Sequence, residues 1–190
     1  MTVYNTKKIM KESMPLLSML IALEIVGGQI LSQNEDFLLK APIFLVMIPV
    51  INGVGGNIGS ILGARLSSGL HVGSIDPSHY GKELQQNVIS IILLGIISYT
   101  SLAIFVLIVT PQMGINIGSN GLETLLKAGY IMIGTGLLLT AIVIVISVFV
   151  ARFSFENGFD PDNTVIPIVT TLCDVLGIIC LIMMIGVVGV

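Results

Sequence analysis

Residues 42–66 read PIFLVMIPVINGVGGNIGSILGARL, and this stretch decides the fold. It carries no charge until Arg65, next to its last residue. A helix crosses the ~30 Å hydrocarbon core of a bilayer with ~20 predominantly apolar residues, so the run is long enough to span. Pro42 opens it, and it is unusually rich in glycine. Gly55, Gly59 and Gly63 recur at every fourth residue, and Gly56, Ser60 and Ala64 repeat the spacing beside them. Small residues at that spacing let helix backbones approach closely in lipid. Close packing is therefore the main reading of the glycines, and carbonyls exposed to a pore are the other. The run is not a phosphate loop, because it lacks the terminal Gly-Lys-Ser/Thr and lies inside a span.

Four more segments of the same character lie around it, at about 14–31, 88–109, 126–150 and 164–190. The fold class expected is all-α, a polytopic transmembrane helix bundle of five spans. The whole chain, 1–190, is expected to be one membrane domain with no soluble regulatory domain. Breakers fall between the spans: Asp76-Pro77-Ser78, then Pro111, Gly114, Gly118, Asn120 and Gly121, then Asp160-Pro161-Asp162-Asn163. Composition agrees. Of 190 residues, 54% are hydrophobic and 10% charged, with mean hydropathy +1.03. A soluble domain carries roughly 25% charged residues. A net charge of −3 without a long basic run excludes a nucleic-acid partner and leaves the lipid bilayer as the medium. Lys7, Lys8 and Lys11 before the first apolar stretch resemble a signal peptide, but no clear small-x-small cleavage site follows, so the stretch reads as the first span. Cys173 and Cys180 are seven residues apart on one helix, ~10 Å along its axis, too far for a disulfide. They read as lipid-facing or packing residues.

Basic residues set the orientation. Lys7, Lys8, Lys11, Arg65, Lys82 and Arg152 collect on one side, and only Lys40 and Lys127 on the other. The first side is expected to be cytoplasmic, in the cell membrane, with the N-terminus inside and the C-terminus outside. Tyr80 and Tyr130 fall near span ends, where amphipathic rings favour the interface.

Ionisable groups within a span cost roughly 2.5–3.5 kcal/mol on insertion, so the few present are informative. Asp174 lies about ten residues into the last span, ~15 Å deep and near the midplane. Pro167, Thr170, Thr171 and Gly177 share its helix face. This polar stripe reads as a cation site of carboxylate, hydroxyl and carbonyl oxygens, the donors that Mg²⁺ and Ca²⁺ prefer. The plain reading is a hydrogen-bonded Asp that fixes packing. Asn52 and Asn57 carry amides near mid-membrane that need partners, and line a pore or fix packing. Glu24, before Gly27-Gly28 in the first span, is a second cation ligand or a buried partner for a neighbouring helix. Glu156, Asp160 and Asp162 cluster at the start of the last helix, where they gather cations at a pore mouth or serve as caps. Capping is the reading for Asp162 and Asn163. His71 and His79 read as interfacial.

The run Asn52-Gly53-Val54-Gly55-Gly56-Asn57-Ile58-Gly59-Ser60, then Ala64-Arg65-Leu66-Ser67-Ser68 and Leu70-His71-Val72-Gly73, resembles the second span of MgtE-type magnesium transporters, especially archaeal members related to eukaryotic solute-carrier magnesium transporters. Gly158-Phe159-Asp160-Pro161-Asp162-Asn163 with Pro167, Thr170-Thr171, Asp174 and Gly177 resembles their last span. The resemblance covers essentially the whole chain. It implies a non-enzymatic Mg²⁺ channel or transporter, in which two five-span units pair around a pore as a homodimer or with a second half. It implies metal binding at Asp174, with Asn52, Gly56 and Asn57 along the pathway and Mg²⁺ or another divalent cation as cargo. The cytoplasmic Mg²⁺-sensing domains of bacterial members are not expected here.

Other functions stand beside this one. A Na⁺- or H⁺-coupled divalent cation exchanger has the same sequence signature. An intramembrane aspartyl protease needs two carboxylates sharing a proton, and Asp174 has only Glu24 and no Gly-x-Gly-Asp around it. A non-transporting membrane scaffold predicts no mid-membrane polar stripe.

Overall fold

The structure, a computed structural model, describes residues 6–39, 42–76, 81–112 and 121–189. Lys40, Pro77, Ser78, His79, Tyr80, Gly114, Gly118 and Asn120 lie outside the described residues, as does the side chain of Lys8. The described chain is helical: α1 (Thr6–Gln33), a single-turn α2 (Glu35–Leu38), α3 (Ile43–Val72), α4 (Lys82–Val109), α5 (Gly121–Glu156) and α6 (Pro161–Val188). The five long helices are each long and apolar enough to cross a membrane.

The helices outrun the apolar stretches that announce them. At 1.5 Å per residue the 36 residues of α5 extend ~54 Å, well beyond the ~30 Å hydrocarbon core. A helix satisfies its own backbone wherever it runs, so it continues into the headgroup region until a breaker stops it. For α3 that breaker is Gly73, left-handed at φ 77°, whose N–H returns to the carbonyls of Gly69 and Leu70. For α6 the start is set by Asp160, whose carboxylate accepts from the Asp162 N–H at 3.0 Å, with Pro161 in the first turn. The cap is thus Asp160 rather than Asp162 or Asn163, because proline at the first helical position needs no hydrogen bond to its nitrogen.

α6 is the centre of the bundle. It packs against α3, α5 and α1, while α3 also packs on α4 and α5. α1 is the outlier: it leans on α6 and leaves Met19, Ile21 and Ile25 about 60% exposed or more. In lipid, association rests on close packing and hydrogen bonds, since tails are as apolar as the side chains. The glycines of α3 supply the close packing. A Cβ on Gly55 would stand 2.6 Å from Leu139 Cδ2, one on Gly63 would stand 2.8 Å from Val165 Cγ1, and one on Gly59 would overlap Val169. These glycines are a packing face against α5 and α6. Cys173 and Cys180 are buried and pack as well.

Tyr99 of α4 is wholly buried. Its ring lies where a Cβ on Gly136 of α5 would be, and its hydroxyl donates to the Ile51 carbonyl of α3 at 3.1 Å. One side chain therefore joins three helices. Tyr99→Phe is expected to lower stability by about 1 kcal/mol, the usual worth of a hydrogen bond and the upper range for one between membrane helices. Unfolding of both proteins in the same detergent series checks this, and equal midpoints would remove the hydroxyl from the account.

Candidate functional site

About three turns in the middle stretch of α3 meet α6. Along α3, Asn52, Gly56, Gly59 and Gly63 face α6, and their counterparts are Gly177, Thr170, Val169 and Val165 in turn. The helices are antiparallel in this pairing, since rising numbers on one meet falling numbers on the other. Gly56 is in ordinary contact with Thr170, with 3.6 Å from its would-be Cβ to Thr170 Cγ2.

Asn52 is the polar hinge of the seam. It is 93% buried, at 7% exposure. Its Nδ2 donates to the main-chain carbonyl of Asp174 at 3.0 Å, across 122 residues of sequence. Its Oδ1 is directed at Gly177, close enough that a Cβ there would overlap it, and it has no hydrogen-bond partner. A buried amide oxygen left without a donor is costly, and nearly all such groups are paired. The oxygen is shut in against Gly177, so the amide serves to lock α3 onto the turn of α6 that carries Asp174.

Asp174 lies beside this amide and is half-buried. Successive residues of a helix turn by 100°, so Thr170 and Gly177 lie to one side of Asp174 and Val175 to the other. Thr170 and Gly177 contact α3, while Val175 contacts Gly27 of α1. Asp174 therefore opens into the cleft between α1 and α3. Glu24 lies three residues before Gly27 on α1, is exposed, and is near enough to Asp174 for their charges to interact. The cleft thus has a carboxylate on each of two helices.

The other residues singled out in the sequence divide between the cleft and its surroundings. Thr170 is half-buried, and its hydroxyl donates to the Ile166 and Pro167 carbonyls of its own helix, leaving its oxygen able to accept. Thr171 is buried on the α1 side of the stripe. Asn57 is exposed and points away from the α6 seam, on an open side of α3 that carries Gly53, Ser60 and Ala64. Asp160 sits at the far end of α6 in its capping role. His71, at the end of α3, is exposed, bonds to the Ser67 carbonyl and meets Phe155 edge-on. Among the described residues no three His, Cys, Asp or Glu side chains gather to hold a metal ion. Any cation here would have to keep part of its water shell or draw ligands from a second chain.

Two supports of the site were invisible in the sequence reading. Gly177 appeared as one member of a polar stripe, whereas its role is to leave room for the Asn52 amide. Tyr99 and Gly136 belong to no motif of the sequence, yet they hold the turn of α3 just before Asn52. A tyrosine deep inside an apolar span, far from either interface, was the available signal.

Residues 48–184 match the family model described as MgtE, a divalent cation transporter. The match takes in most of α3, all of α4 and α5, and α6 to within its last turn. It contains Asn52, Asn57 and Asp174, and leaves α1 with Glu24 outside.

Proposed function

From the premise that the chain belongs to the MgtE family of divalent cation transporters, we propose that its cargo is Mg²⁺ and that Asp174 is the centre of the translocation site. The family is one of transporters, not enzymes, and the five spans make this chain a multi-pass membrane protein. The observation that carries the site is the half-buried Asp174 carboxylate within charge range of Glu24, on a turn of α6 pinned to α3 by the Asn52 amide. Mg²⁺ dehydrates reluctantly and is usually held by one or two carboxylates with several waters retained. The cleft offers such a set. Asp174 supplies the charge that compensates for lost hydration. The Thr170 and Thr171 hydroxyl oxygens accept from the ion's waters, while the Gly56 carbonyl is taken by the Ser60 hydroxyl at 2.8 Å and Asn52 holds the seam. Glu24 and Asn57 stand at the rim, and Asp160 lies at the approach along α6.

A single copy leaves polar groups at membrane depth on its open face: Asn57 exposed, Asp174 half-buried. Lipid cannot satisfy them. A second copy laid on this face covers them and brings two Asp174 carboxylates toward one axis, and closed two-fold pairing is the commonest oligomer. The basic residues support an N-terminus in the cytoplasm and a C-terminus outside. The Lys127 Nζ reaches the Gly189 carbonyl at 2.9 Å and joins the start of α5 to the end of α6, as expected of two consecutive antiparallel spans.

The test is Mg²⁺ uptake into proteoliposomes, with and without Na⁺ and pH gradients. Saturable uptake that needs neither gradient is expected. Uptake only with a gradient would replace this reading by a coupled exchanger, and passage of another divalent ion without Mg²⁺ would overturn the cargo. Asn57→Cys should cross-link into dimers in the same vesicles, and monomers alone in active vesicles would remove the paired site.

A further inference from the structure

We propose that the lipid-facing furrow between α4 and α5 is a binding site for one anionic phospholipid, its phosphate at Arg152 and one acyl chain lying toward Leu137. Two cavities line this side, about 560 Å³ and about 480 Å³, and they share Val88 and Ile144, so they form one furrow. It runs from Gln85 and Arg152 at one end to Ile96 and Leu137 at the other. The fifteen helical steps from Leu137 to Arg152 rise ~22 Å, more than the ~15 Å depth of one leaflet's hydrocarbon. An acyl chain fits that length. The base is closed where Gly95 lets α4 meet Thr140 of α5, and the Thr140 hydroxyl is already bonded to the Gly136 carbonyl. The body of the furrow therefore presents apolar surface.

Polar groups stand at one end only. Arg152 and Gln85 line it, and Lys82 lies one turn before Gln85 on the same face of α4. A guanidinium matches phosphate geometry and has five N–H donors, enough to take a phosphate alongside a protein contact. Glu156 lies one turn past Arg152, further toward the water, and Glu83 is beside Lys82, so the end is mixed in charge with its arginine nearest the furrow. This one-ended polarity favours a lipid over a second copy of the chain, which would be expected to meet a surface apolar along its whole length. The furrow also lies away from α1 and from the cleft at Asp174. The proposal is independent of the transport reading.

Purified protein in detergent is mixed with equal phosphatidylglycerol and phosphatidylcholine, and retained lipid is counted by native mass spectrometry. A basic residue near an anionic surface gives a preference of about fivefold, so retained phosphatidylglycerol should exceed phosphatidylcholine by about that factor. Arg152→Gln should erase the preference, and Arg152→Lys should keep part of it. Ala141→Trp, which fills the furrow, should reduce retention of both lipids. Inorganic phosphate should not displace the bound lipid. An unchanged preference in Arg152→Gln overturns the headgroup site. Unchanged retention in Ala141→Trp overturns the furrow, and loss of dimer mass with lipid retained would assign it to a second copy.

Discussion

Asp174→Asn is expected to lower Mg²⁺ uptake by a hundredfold or more while leaving the five-helix fold in place. The substitution keeps the shape of the side chain and one carbonyl oxygen but removes the charge. Two unit charges 4 Å apart in surroundings of intermediate dielectric interact by about 4 kcal/mol, and the ion here is divalent. Losing even 3 kcal/mol of compensation is about a hundredfold in an equilibrium or rate constant. The fold should not suffer in parallel. The hydrogen bond from Asn52 goes to the main-chain carbonyl of residue 174, which the substitution leaves untouched. A neutral amide at membrane depth is also cheaper to insert than a carboxylate. Transport and stability are therefore expected to separate: uptake lost, unfolding midpoint equal or higher. Asp174→Glu moves the charge by one methylene and should retain partial uptake or change the order of preferred ions. Uptake at the unmutated rate by a folded Asp174→Asn protein would make the residue structural and the site wrong.

The spans were legible because each is a local property of ~20 residues, and the bilayer imposes it on one stretch at a time. The place of Asp174 near the middle of its helix was legible for the same reason. The glycine spacing of α3 predicted close packing and the structure shows it, but spacing alone did not say which helix fills each notch. Pairings between helices were not legible. The bond from Asn52 to residue 174 joins positions 122 apart, and nothing near either residue announces the other. The peripheral place of α1 was hidden too, since a helix that faces lipid on most sides has the same composition as one packed between neighbours. At the start of α6, Asp160, Asp162 and Asn163 are all good caps by type, and only the backbone geometry around Pro161 selects Asp160.

Gly177→Ala is expected to be among the most damaging single-methyl additions in the molecule, and its damage should depend on Asn52. The added Cβ would occupy the place of Asn52 Oδ1, whereas its next neighbour, Leu139 Cδ2, stands at an ordinary 3.5 Å. Asn52 is buried and cannot simply swing into open space. It must give up its bond to the Asp174 carbonyl, or α3 and α6 must separate. Overpacking of this kind typically costs 1–3 kcal/mol, and the displaced amide adds the loss of a hydrogen bond. Uptake should fall about tenfold or more, because the amide that pins the Asp174 turn to α3 is displaced and the helix that carries Asp174 shifts with it. The double variant Asn52→Ala with Gly177→Ala distinguishes a clash from a general weakness. Removing the amide relieves the overlap, so the double should be at least as stable as Gly177→Ala alone, while uptake stays low for want of the Asn52 bond to the Asp174 carbonyl. Stabilities that merely add across the cycle would show that the two residues do not touch in the membrane. In that case Asn52 does not stand where the cleft requires it, and the paired role of Asn52 and Asp174 is lost.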